Sequence, residues 1–160
     1  MVELKPFDIV AVAGLWYMPH HWLIKWSSHH RWVHNAVVLD DAGEILNPIF
    51  TGMETDKLGK YQGREVAICR YRGEIDEQRL SAWLTKTAAE SKGYDFISWL
   101  GFFTGLKQLT DPQRWACSEV PYWLFQENGN RLTNLDEPFP YPSLPVFNPE
   151  FEIVWRGILA

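Results

Sequence analysis

Residues 33–50 leave little choice of local structure. Val33-His34-Asn35-Ala36-Val37-Val38-Leu39 is mostly apolar and β-branched, Asp40-Asp41-Ala42-Gly43 interrupts it, and Glu44-Ile45-Leu46-Asn47-Pro48-Ile49-Phe50 returns. Asp side chains accept the hydrogen bonds of a tight turn and Gly supplies its positive φ. The pattern therefore predicts an antiparallel hairpin over 33–50. Residues 7–13, 65–71 and 151–155 read as further strands. Residues 76–91 read as the best helix, with Asp76 as its cap and Leu80, Trp83, Leu84 and Thr87 at helical spacing. Shorter helices are expected over 19–26, 97–106 and 116–126, and a loop begins at Thr51. Five prolines within 138–149 predict extended loop. With no repeat and no dividing linker, residues 1–160 read as a single α+β domain, an antiparallel sheet packed against helices.

The totals narrow the function. A chain of 160 residues, 46% hydrophobic and 22% charged, is long enough to bury a core. Its net charge of −5 argues against a nucleic-acid partner, which needs clustered Lys and Arg. The first residues, Met1 to Pro6, lack the basic and apolar regions of a signal peptide, and no apolar run reaches the roughly 20 residues of a membrane span. A cytoplasmic or virion-associated location is the expectation. Membrane contact is not indicated, and oligomeric state is not legible.

Trp115-Ala116-Cys117-Ser118-Glu119-Val120-Pro121 carries the chemistry. A Cys at a helix start meets free N–H groups and the positive end of the dipole, which favour a thiolate and can receive an oxyanion. Pro121 is tolerated in a first turn, so a helix beginning near Ser118 fits best. An isolated Cys on an apolar helix is ordinarily core, so a nucleophile here needs a base. His34 offers one, from a strand that is otherwise mostly apolar. Asn47 falls opposite it or one pair away across the hairpin, where an amide can fix the imidazole tautomer. Glu44 is the alternative third residue, though it lies near the turn. Glu119 reads as a first-turn carboxylate. Cys69, mid-strand, reads as structural, with no disulfide to Cys117. His20, His21, His29 and His30 lack the spacing of a zinc set. His21 and His30 at most flank the cleft, and no metal is expected.

These residues resemble a known family. Leu4-Lys5-Pro6-Phe7-Asp8-Ile9-Val10 is similar to the opening strand of the permuted NlpC/P60 papain-like cysteine hydrolases, with Phe7 where Gly is usual. The 33–48 hairpin resembles their His hairpin, with Asn47 where Glu is common. Gly93-Tyr94-Asp95-Phe96 resembles a third element, and Trp115-Ala116-Cys117-Ser118-Glu119 the nucleophile motif. Four motifs in order, His before Cys, point to the YiiX/YebB-like branch. The resemblance implies a circularly permuted papain-like fold with Cys117, His34 and Asn47 as catalytic residues. It places Tyr94 and Asp95 near the cleft, as substrate contacts or, for Asp95, as a helix cap.

The implied reaction is acyl transfer through a thioester without a cofactor. The resemblance suggests an amidase or peptidase, bacterial or phage, acting on peptidoglycan peptides or other amide and isopeptide bonds. Two other readings stand beside it. A thiol hydrolase or acyltransferase for lipid acyl groups would use the Trp16–Trp32 segment. An inactive binding or virion-structural domain would keep the fold with Cys117 occluded.

Overall fold

The computed structural model describes residues 3–15, 21–22, 25–26, 29–49, 51–93, 115–130 and 141–160. The helix expected over 97–106, the Tyr94-Asp95 element and half of the helix expected over 19–26 lie outside them. One antiparallel sheet contains β1 (Ile9–Ala13), β2 (Trp32–Val38), β3 (Glu44–Ile49), β4 (Gly52–Lys57), β5 (Glu65–Tyr71) and β6 (Phe151–Ile158). Its strand order is β4-β3-β2-β1-β5-β6. Among the described residues the sheet is accompanied by the α-helices α1 (Glu77–Glu90), α2 (Glu119–Glu127) and the one-turn α3 (Leu144–Phe147).

β1 lies inside the sheet and every one of its residues is buried, which is why it reads as a continuous apolar run. Its alternation still sorts two faces. Ile9, Ala11 and Ala13 join Leu80 and Leu84 of α1 and Val120, Leu124 and Phe125 of α2 in the larger core. Val10 and Val12 face Ala36, Val38, Ile45, Val66 and Tyr61 on the other side. Each fully buried aliphatic side chain contributes about 1.5–3 kcal/mol, so the helices are held mainly by their apolar stripes.

The hairpin forms as its turn chemistry predicts. The Glu44 N–H donates to Asp40 Oδ1 at 2.7 Å, Leu39 N–H donates to Glu44 O at 2.8 Å, and Gly43 takes φ +82°. Asp76 caps α1 by accepting the Arg79 N–H at 3.0 Å. Ahead of β1, Asp8 is buried and accepts a two-pronged ion pair from Arg70, Nε to Oδ1 at 2.8 Å and Nη2 to Oδ2 at 2.7 Å.

Three expectations need correction. The segment after Thr51 is a strand, β4. Its polar sequence Gly-Met-Glu-Thr-Asp-Lys suits a sheet edge, where one side meets water, and so lacks an apolar signature. The proline-rich stretch contains α3, because Pro145 sits in the first turn, where its missing N–H costs nothing. The last strand runs on to Ile158, carried by pairing to β5.

Candidate active site

α2 begins where the sequence favours. Ser118 is the N-cap, Glu119 the first helical residue and Pro121 the third. The Glu119 carboxylate, itself buried, accepts the Ala116 N–H at 2.8 Å and so closes the turn around Cys117. Trp115 sets its ring edge-on to Trp83 of α1, centroids 5.6 Å apart, anchoring the approach. Cys117 is 3% exposed. Cys69 is also a free, buried thiol.

The thiol meets β2 where the sheet divides. β2 and β3 pair at Val37↔Leu46 and Val38↔Ile45, and the ladder goes no further toward the start of β2. The pleat explains the stop. Leu46 turns its backbone groups toward β2, and so does the residue two further on. That residue is Pro48, which has no N–H to give. On the β1 side the register slips near Ala13 and Trp32, a bulge. Between the stop and the bulge lies the Val33 carbonyl, and Cys117 Sγ donates to it at 3.8 Å.

His34 projects from β2 on the face shared with Ala36 and Val38, and Asn47 projects from β3 on the same face. Extending the register puts Asn47 opposite Ala36, so His34 is its diagonal neighbour, one same-face pair away. His34 Nε2 lies 2.7 Å from Asn47 Oδ1. The Tyr61 hydroxyl donates to the same oxygen at 2.9 Å. Asn47 Nδ2 donates to Asp56 Oδ2 at 3.1 Å, and Lys60 pairs with that carboxylate. An amide whose nitrogen faces a carboxylate presents its oxygen to His34. His34 therefore carries its proton on Nε2 and keeps Nδ1 as the basic nitrogen.

Burial lowers the His34 pKa to about 4 against the opposing hydrogen bond to Asn47, with the charges of Arg64, His21 and Lys60 adding to the drop. The imidazole is thus neutral at pH 7 and able to accept a proton. Burial disfavours a standing imidazolium beside the thiol before reaction. Tyr61 is pushed up, first by burial and next by the neighbouring Cys117, whose charge when ionised would oppose a second anion there, which places the two side chains within electrostatic reach. Burial pushes Cys69 up to about 12.

The architecture has a solved counterpart. The fold is that of the metalloprotein YiiX from Escherichia coli O157:H7. The two match with a TM-score of 0.69 at 16% identity, over 97% of this chain and 98% of that one. At that identity the YiiX likeness is one of fold. No family model matches the sequence, and no curated protein does.

Within this YiiX-like fold, His34 and Asn47 are brought into contact, and Cys117 stands on the carbonyl of the residue before His34. Glu44 is turned to solvent and paired with Lys57 at 2.9 Å, away from His34. His21 is buried and accepts the Leu15 N–H on Nδ1 at 3.0 Å, and His30 stacks on Phe147 at 4.6 Å. Tyr94 and Asp95 are outside the described residues. Tyr61 and Asp56 were not anticipated. Tyr61 sits in the polar run Leu58-Gly59-Lys60-Tyr61-Gln62-Gly63, and nothing in its neighbours marks it. Asp56 could have been found only by recognising β4 and reading its register against β3.

Proposed function

We propose that this chain is a cysteine-dependent hydrolase of the permuted NlpC/P60 type, acting on amide or isopeptide bonds such as those of peptidoglycan peptides. The observation that carries the reading is the 2.7 Å contact between His34 Nε2 and Asn47 Oδ1. It leaves Nδ1 as the base beside the strand position that holds the Cys117 thiol. In the proposed reaction His34 Nδ1 takes the thiol proton and Sγ attacks the substrate carbonyl carbon. N–H groups at the start of α2 receive the oxyanion. The intermediate collapses to a thioester as His34 returns the proton to the leaving amine. Water, deprotonated by His34, then releases the acid and restores the thiol.

YiiX is described as a metalloprotein, and that property does not carry over readily. Among the described residues no three His, Cys, Asp or Glu side chains are grouped to hold an ion.

Two observations favour other readings. Cys117 is 3% exposed and its S–H is engaged by Val33, as in a binding domain that keeps the fold. Trp22 and Trp26 are 66% and 73% exposed, a surface suited to a lipid acyl substrate. One experiment separates them. Purified muropeptides and a phospholipid ester are incubated with the protein and with Cys117→Ser, and the products are read by mass. Amide cleavage by the first protein alone supports the proposal, ester cleavage supports the acyl reading, and no turnover of either supports the binding domain.

A further inference from the structure

Asn47 is the hinge of the His34 network, and its amide could face either way. The two ends are nearly equal in size, and two of its three neighbours are ambiguous, since a hydroxyl and an imidazole nitrogen can each donate or accept. Asp56 is not ambiguous. Beside the Lys60 ammonium it is ionised, and a carboxylate only accepts. In the β3–β4 ladder Asn47 lies opposite Glu54 and Ile45 opposite Asp56, so Asp56 and Asn47 are diagonal neighbours on one face. The contact follows from the register, with Asn47 Nδ2 to Asp56 Oδ2 at 3.1 Å.

We infer that Asp56 is a positioning residue: by accepting from Asn47 Nδ2 it turns the Asn47 oxygen toward His34 and fixes His34 as the Nε2–H tautomer. The same contact explains why position 47 carries an amide. A carboxylate there would meet Asp56 as a like charge, whereas Asn gives a donor to one side and an acceptor to the other. The consequence for catalysis rests on the hydrolase reading above; the consequence for the tautomer does not.

The test reads the two separately. Imidazole ¹⁵N spectra report the His34 tautomer, with His34→Gln assigning the signal, and iodoacetamide labelling reports the Cys117 thiol. The protein should give a single Nε2–H form. Asp56→Ala should give mixed tautomers and label Cys117 about tenfold more slowly, the scale at which supporting hydrogen bonds act. Lys60→Met, which removes the ion pair and a distant charge on His34 but leaves the Asp56 acceptor in place, should keep the single tautomer. Asn47→Asp should slow labelling, and adding Asp56→Asn, which restores a donor facing a carboxylate, should recover it. This reciprocal pair preserves side-chain volume and stands even if Asp56→Ala fails to fold. An unchanged tautomer in Asp56→Ala, a tautomer lost in Lys60→Met, or no recovery in the double variant overturns the inference and leaves the hydrolase reading intact. Labelling of Cys117 that ignores His34→Ala overturns the hydrolase reading, whatever the spectra show.

Discussion

The half-buried imidazole of His34 ties this site to pH. Its pKa falls from 6.5 to about 4 on folding, chiefly through burial. Between those values the unfolded chain binds the extra proton, so stability rises with pH; the contribution is complete above the unfolded value and lost as pH falls toward the folded one. At about 1.4 kcal/mol per unit, the protein should lose about 2 kcal/mol from this group between about pH 7 and pH 5. Thermal melts at the two pH values should show the loss, and His34→Gln should remove most of it. Phe7 gives a second prediction. It stands at φ 68° with its side chain buried. That backbone costs a non-glycine residue about 1–3 kcal/mol, so the ring must be held by its packing. Phe7→Ala keeps the cost and loses the ring; Phe7→Gly loses both. Both variants should be destabilised, with Ala worse than Gly by about 1 kcal/mol, as read from denaturant midpoints. A Gly at position 7 would adopt this φ without that cost.

At the scale of elements, the hairpin, β5, α1 and the start of α2 were legible because each has its own local cause: turn residues, alternation, a cap, a proline in a first turn. β4 was not, since an edge strand half in water looks like loop, and α3 was hidden by counting prolines without asking where they stood. The site was half legible for the same reasons. His34, Asn47 and Cys117 carry local patterns, whereas Tyr61 and Asp56 reach the site only through the register of neighbouring strands. The split between β2 and β3 was also unforeseen, although Pro48 is its sequence cause. Pro48→Ala restores an N–H on the β2 side. It should extend the ladder, draw Cys117 off the Val33 carbonyl and change its labelling rate, while amide exchange at position 48 becomes protected. An unprotected amide there would show that something other than proline holds the strands apart.

For the whole molecule, the sheet puts His34 and Asn47 on one face, α2 crosses the other, and Cys117 meets β2 at the break between them. Among the described residues no helix is long and apolar enough to cross a membrane. The two thiols are both buried, and what distinguishes them is their surroundings. Cys69 lies mid-strand, paired to β1 on one side and β6 on the other, where burial pushes its thiol up to about 12, while Cys117 lies at a helix start within reach of Tyr61 and beside the strand position of His34. The account turns on that difference. The most direct measurement is the rate of iodoacetamide labelling at each cysteine of the folded protein near neutral pH, by peptide mass, with and without His34→Ala. The account predicts that Cys117 labels well ahead of Cys69 and slows about a hundredfold or more when His34 is removed, within the range for a lost general base. Equal labelling of the two thiols, or a Cys117 rate indifferent to His34, would contradict it.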